Sequence, residues 1–81
     1  MTGSPEHTPR RPLWTCRICD TEWPCLTARS LLPIEYAADL TALRVYLGVM
    51  LYEASSDLCR LNPNPGPDPV GLYARFIGWV A

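Results

Sequence analysis

The sequence has 81 residues and a mass of 9.1 kDa, with 48% hydrophobic residues, 19% charged residues and a net charge of −1. This length permits one small domain and excludes large catalytic scaffolds such as a Rossmann sheet, a TIM barrel or a flavin-binding barrel. The balanced charge gives no overall attraction to nucleic acid or to anionic membranes. Because so short a chain has a marginal core, we expect a metal ion or disulfides to stabilise it.

The N-terminal 15 residues, MTGSPEHTPRRPLWT, contain three prolines and lack the apolar run of a secretory signal. The longest apolar stretch, residues 45–52, is too short for a membrane span, which needs about 18 to 20 residues. We therefore expect a cytoplasmic protein. In that reducing compartment, clustered cysteines hold a metal more often than they form disulfides.

Three cysteines near the N-terminus have the spacing of metal ligands. Two residues separate Cys16 from Cys19, and this spacing lets both thiolates of one tight turn face a single cation. Asp20 is a residue type that tolerates the left-handed backbone of such a turn. Cys25 follows after five further residues. Since thiolates favour zinc or an iron–sulfur cluster over magnesium or calcium, we predict one of these at Cys16, Cys19 and Cys25.

A fourth ligand would close a tetrahedral structural site, and the candidates are His7 and Cys59. His7, the only histidine, is preferred because it lies on the same arm as the three cysteines. Cys59 has a spacing that suits a buried apolar position, so we expect a core thiol there. We expect Trp14, Trp23 and Pro24 to pack over the site and dock it on the helices.

The helices are predicted from capping residues and apolar spacing. With Ser30 as the N-cap, a short helix is predicted over residues 31–38, and the following proline falls in its first turn. Residues 34–62 contain no proline, so a long helix fits there. Asp39 is the expected N-cap, and apolar residues recurring at intervals of three and four predict a helix over residues 40–60.

The last part of the chain begins with a segment rich in proline, which forces an extended connector. Asp68 followed by Pro69 then predicts the start of a helix over residues 70–80. The expected architecture is one mainly α domain over residues 1–81, in which an N-terminal zinc knuckle packs on a small three-helix domain. Its segments are a proline-rich arm with the knuckle (1–26), a helical hairpin (27–61), a proline-rich connector (62–69) and a C-terminal helix (70–81).

Other functions have weaker support in the sequence. A redox CxxC motif would need a βαβ pattern around it, and haem attachment would need histidine where Asp20 stands. No P-loop is present, and we do not expect an enzyme. A nucleic-acid-binding zinc finger stays open as an alternative, because Arg10, Arg11 and Arg17 could form a basic face with two tryptophans.

A longer pattern covers nearly the whole chain and resembles a known group of proteins. It consists of His7, Trp14, Cys16-x2-Cys19, Trp23-Pro24-Cys25, Arg29, Glu35-Tyr36, Tyr46-Leu47, Asp57-Leu58 and Leu72-Tyr73-x2-Phe76-x-Gly78-Trp79. The group comprises small actinobacterial Cys3His zinc-binding proteins, often labelled flavin reductase. The resemblance implies a metal-bound helical protein with His7 as a ligand. It does not imply flavin chemistry, because this chain has no room for an isoalloxazine ring.

The C-x2-C-x5-C spacing is also similar to the last three cluster ligands of WhiB-like iron–sulfur regulators. That family has a fourth, upstream cysteine and a Gly-rich turn after the cluster, and this sequence has neither. A redox-sensing regulator with a [4Fe–4S] cluster is therefore kept as an alternative to zinc.

The leading hypothesis is a small zinc-binding helical protein with a structural site of His7, Cys16, Cys19 and Cys25. It would act as a protein-interaction or regulatory module. The long helix is apolar on more than one side, so we expect a partner protein or a second copy to cover it, and we expect neither nucleic acid nor a membrane as partner. The receiving groove would be lined by Tyr46, Tyr52, Trp79 or Phe76.

Overall fold

Three helices and a short hairpin make up residues 7–80, the part of the chain that the computed structural model describes. Two short strands, β1 (Pro9–Arg10) and β2 (Thr15–Cys16), pair antiparallel, with Pro9 opposite Cys16. The predicted mainly α architecture with an N-terminal knuckle is confirmed, while residues 1–6 and 81 of the predicted domain lie outside the described part. In chain order the elements are β1 (Pro9–Arg10), β2 (Thr15–Cys16), α1 (Leu26–Glu35), α2 (Leu40–Leu61) and α3 (Pro69–Phe76).

Helix α2 lies where the apolar spacing predicts it. The Asp39 carboxylate accepts a hydrogen bond from the Ala42 N–H at 3.1 Å, which confirms the predicted N-cap. The helix ends at Leu61, because the next residue, Asn62, precedes a proline and takes extended backbone. One face of α2 is buried, and its buried residues are Leu43, Leu47, Ala54 and Asp57.

Helix α1 begins five residues earlier than predicted. Its N-cap is Cys25, whose sulfur accepts a hydrogen bond from the Ala28 N–H, so the prediction of Ser30 as the cap is wrong. Ser30 is inside the helix and donates its hydroxyl hydrogen to the Leu26 carbonyl. The helix also ends before residue 38, at Glu35. The chain must leave the helix there because Asp39 needs non-helical backbone to cap α2.

Helix α3 starts as predicted and ends early. The Asp68 carboxylate accepts from the Gly71 N–H at 3.2 Å, and a proline occupies the first turn. The predicted extension to residue 80 is wrong, since the helix stops at Phe76. The N–H of Gly78 bonds the Tyr73 carbonyl in a tight turn, where a Cβ would lie only 2.9 Å from the Ala74 Cα. Only glycine fits this close approach.

The core joins the N-terminal arm to the helices through aromatic rings. Trp14 and Trp23 lie with ring centroids 5.7 and 6.1 Å from that of Phe76, and all three side chains are buried. The expectation that the tryptophans dock the arm on the helices is thus confirmed. Phe76 is fully enclosed, so the prediction that it lines an open groove is wrong, whereas Tyr52 is 77% exposed.

Leu47→Ala tests the buried face of α2. Leu47 is fully buried, so removing its side chain should leave a cavity and lower the free energy of unfolding by about 2–5 kcal/mol. Val45→Ala is the matched control on the exposed side of the same helix and should change it by no more than about 0.5 kcal/mol. Urea denaturation measures both, and equal effects of the two changes would contradict this assignment of faces.

Candidate metal centre

The knuckle at Cys16 and Cys19 is a tight turn that directs N–H groups at sulfur. The Cys16 sulfur accepts hydrogen bonds from the N–H groups of Ile18 and Cys19, both at 3.4 Å. Asp20 has the positive φ, 58°, that its residue type led us to expect. The N–H of Asp20 bonds the Cys16 carbonyl and closes the turn. This backbone arrangement stabilises a thiolate at Cys16.

Cys25 occupies the N-terminus of α1. Its sulfur accepts from the Ala28 N–H at 3.4 Å, and its side chain is 4% exposed. The positive end of the α1 helix dipole therefore faces this sulfur. A cysteine that caps a helix in this way links the site directly to the helical part of the fold.

His7 completes the group from the other side of the hairpin. Its main-chain carbonyl accepts a hydrogen bond from the Trp23 indole N–H at 2.9 Å, which holds this part of the arm against the core. The His7 Nδ1 atom lies 3.4 Å from the Cys16 sulfur, 3.6 Å from that of Cys19 and 3.4 Å from that of Cys25. The ligand atoms of these four residues all lie within 4.8 Å of one another, so they could hold a metal ion.

The three thiols cannot ionise independently at this separation. Burial acts to raise the pKa of the Cys16 thiol, but hydrogen bonds from the N–H groups of Cys19 and Ile18, together with those to His7 and Cys25, lower that pKa to about 7. Burial and the neighbouring sulfurs of Cys16 and Cys25 raise the pKa of Cys19 to about 11. A bound dication would reverse this repulsion, and its binding would release protons.

Burial at the site is uneven. Cys16 and Cys25 are buried, His7 is partly buried, and Cys19 is exposed. The Cys19 side therefore gives an ion access from solvent, while the opposite side packs against the core.

Cys59 is not a member of this group, and its predicted place in the core is wrong. The thiol is exposed at the C-terminal end of α2. Its sulfur lies near Gly66 of the proline-rich connector, where an added Cβ would be 3.7 Å away. The spacing that suggested burial fails because the other helices cover α2 on a face that does not include this position.

Asp57 is a supporting residue that the sequence reasoning missed. This buried carboxylate, from α2, accepts two hydrogen bonds from the Arg11 guanidinium, at 2.8 and 3.1 Å, and one from the Trp14 indole at 2.9 Å. It thus ties the hairpin to α2. The spacing in the sequence could have revealed this residue. Asp57 follows Ala54 by three positions on the apolar face of α2, and a carboxylate there needs a buried partner.

Arg75 is a second missed residue and ties the arm to α3. Its guanidinium donates to the Trp23 carbonyl at 2.9 Å and to the Trp14 carbonyl at 2.6 Å. Burial lowers the pKa of Arg75, and the nearby Glu22 carboxylate acts in the opposite direction. The side chain satisfies carbonyls of the loop that carries Cys16 and Cys19, so it positions that loop without touching the sulfurs.

The fold and site together define a mainly α protein in which the hairpin and α1 assemble a His/Cys3 group that could hold a metal ion. No family model, curated protein or solved structure matches the chain. None of the helices within residues 7–80 combines the length and apolar character that crossing a membrane requires.

The Asp57 contacts predict a pH-dependent stability. Hydrogen bonds from Arg11 and then Trp14 lower the pKa of Asp57. The carboxylate therefore stabilises the fold above its unfolded pKa of about 3.9, and this contribution disappears as the pH falls through the lower folded value. We expect the difference in free energy of unfolding between the native protein and Asp57→Asn to be largest near neutral pH and to shrink below about pH 4.

Urea denaturation at several pH values measures the free energy of unfolding of the native protein and of Asp57→Asn. Effects of pH that are common to both proteins cancel in the difference. Asp20→Asn is the control, because the Asp20 carboxylate forms an exposed ion pair with Arg10 and asparagine also tolerates the left-handed backbone of the turn. It should change the free energy of unfolding little at any pH. A difference for Asp57→Asn that does not vary with pH would contradict the assigned role.

Proposed function

We propose that the protein is a zinc-binding helical module with a structural Cys3His site formed by His7, Cys16, Cys19 and Cys25. The observation that carries this proposal is the spacing of nitrogen and sulfur. In a zinc tetrahedron with Zn–S near 2.3 Å and Zn–N near 2.0–2.1 Å, nitrogen and sulfur lie about 3.6 Å apart. The three distances from His7 Nδ1, at 3.4, 3.6 and 3.4 Å, agree with that value.

The same spacing favours a single ion over an iron–sulfur cluster. A [4Fe–4S] cluster places four iron atoms and four sulfides between its ligands, so the ligand atoms must lie farther apart than around one ion. Here all four ligand atoms lie within 4.8 Å. This supports zinc over the alternative of a cluster-based redox sensor.

Four protein ligands around one ion argue for a structural role. A catalytic zinc site keeps one position for water or substrate, whereas a closed Cys3His site has none. Zinc binding contributes about 10–16 kcal/mol in small zinc-finger peptides at neutral pH, which is as large as the whole stability of many domains. We infer that the metal fastens the N-terminal arm to α1 and that it catalyses no reaction.

The biological role would then be exercised through the protein surface. Several large apolar side chains of α2 and α3 are exposed, which suits recognition of a partner protein. Two arginines of the expected basic face are already engaged, Arg10 with Asp20 and Arg11 with Asp57. This favours a protein partner over nucleic acid. The exposed apolar residues of these two helices are Val45, Val49, Tyr52, Leu61, Val70 and Tyr73.

Metal removal tests the structural role. We expect the purified protein to contain one equivalent of zinc, and a strong chelator should abolish much of its helical circular dichroism, because the arm and α1 lose their common anchor. Adding zinc back should restore the signal. An unchanged spectrum and melting temperature in the metal-free protein would contradict the structural role.

Two cysteine variants provide the matched comparison. Cys25→Ser removes a ligand and should weaken zinc binding by more than the roughly 10–100-fold that loss of an outer-shell partner causes. Cys59→Ser removes the exposed thiol outside the group and should bind zinc like the native protein. Competition with a chelator of known affinity measures both. Equal affinities of the two variants would show that Cys25 is not a ligand.

A further inference from the structure

A small cavity lies between the end of α1 and the first half of α2, next to His7. Its volume is about 40 Å³, and since a single water needs roughly 10–15 Å³, there is room for more than one water-sized group. The cavity is only partly open to solvent. Its walls include Trp23, Leu31, Leu32, Glu35, Tyr36 and Tyr46.

Three of these residues, Trp23, Tyr36 and Tyr46, contribute aromatic rings to the wall. The rings of Tyr36 and Tyr46 lie with centroids 6.1 Å apart and planes inclined by 21°. Trp23 lies 6.5 Å from Tyr46 and nearly perpendicular to it, at 82°. The face of an aromatic ring is the negative side of its π system, and it attracts a cation that lies over it.

The wall of the cavity also contains the Glu35 carboxylate, and the hydrogen bonding of this group is incomplete. Glu35 Oε1 is buried and accepts no hydrogen bond within the described part of the chain. A buried acceptor without a donor is destabilising, so each such group needs an explanation. Burial, and then electrostatic interaction with Tyr36 and Glu35, raise the pKa of Tyr46 beside this carboxylate.

The position of Glu35 in its helix adds to the negative potential. Glu35 is the last residue of α1, and the last turn of this helix contains no basic residue. The C-terminal end of a helix carries a partial negative charge, where cations are favoured and carboxylates are not. Two independent features, an acceptor without a donor and an acid at the unfavourable helix end, therefore call for a positively charged donor in this cavity.

We infer that the cavity binds the ammonium head of a primary amine, with Glu35 as the charged acceptor and Trp23, Tyr36 and Tyr46 as the surrounding rings. A primary ammonium has three N–H donors and a compact charge, which suits both the carboxylate and the small volume. A quaternary ammonium has no donor and is larger. Water could donate to Glu35 but would not balance its charge.

Titration of the intact, metal-loaded protein with methylammonium chloride tests this inference. The ionic strength is held constant with sodium chloride, and binding is followed by the NMR signal of the Trp23 indole N–H, which lies at the cavity wall. We expect a saturable shift with a dissociation constant in the millimolar range, and no saturable shift with tetramethylammonium. Absence of saturation with methylammonium, or equal binding of the two cations, would overturn the inference.

Glu35→Gln removes the charge while preserving the shape of the side chain. It should weaken methylammonium binding about tenfold or more, because a charged hydrogen bond becomes a neutral one. Glu53→Gln is the matched control, since Glu53 is a carboxylate of α2 that pairs with Arg11 outside the cavity. Unchanged affinity in Glu35→Gln would rule out the carboxylate as the anchor.

The same titration distinguishes two sources of the amine, a lysine side chain of a protein and a free small amine. If a blocked lysine, Nα-acetyl-lysine N-methylamide, binds at least tenfold more tightly than methylammonium, the cavity recognises a lysine side chain of a protein. Equal affinities identify a free amine as the ligand. Zinc content and circular dichroism are measured on both variants. If these are unchanged while amine binding is lost, the loss is independent of the metal site. Failure of this inference therefore leaves the zinc proposal intact.

Discussion

Three sulfurs and one imidazole nitrogen converge within 4.8 Å, and this crowding is the constraint on which the rest of the structure depends. The pKa of Cys19 is raised by burial first and then by the neighbouring sulfurs, because thiolates so close together would repel one another. A bound cation converts that repulsion into attraction. Within residues 7–25, the only strands are the two-residue β1 and β2 of the hairpin, so the position of this segment relies on contacts made by its side chains.

The surrounding residues serve this convergence by fixing the arm from several directions. Asp57 holds Arg11 and Trp14 against α2, and Arg75 holds the carbonyls of Trp14 and Trp23 from α3. The two tryptophans contribute both apolar contact and hydrogen bonding. Asp57 and Arg75 are both charged, and each binds groups of the arm. The loop that carries the ligands is therefore positioned by charge as well as by packing.

The sequence predicted the features that depend on local spacing. The CxxC turn with Asp20, the Asp39 and Asp68 caps and the full length of α2 all follow from neighbouring residues, and the structure agrees with them. The preference for His7 over Cys59 rested on proximity in the chain, and the structure brings His7 to the cysteines.

Features set by tertiary contacts were not predictable in the same way. Helix α1 starts early because a cysteine, which is not a typical capping residue, caps it from within the metal group. Helix α3 ends early because Gly78 allows a turn that the apolar spacing does not reveal. Cys59, expected in the core, is exposed and the nearby Asp57 is buried, since the face of α2 that becomes buried is set by packing against the arm and α3.

X-ray absorption spectroscopy of the natively purified protein, combined with elemental analysis, tests the central claim most directly. It identifies the metal and counts its ligands. One zinc ion with three sulfurs near 2.3 Å and one nitrogen near 2.0–2.1 Å is the expected result. Iron in place of zinc, or a zinc shell in which an oxygen replaces the His7 nitrogen, would contradict a closed structural Cys3His site.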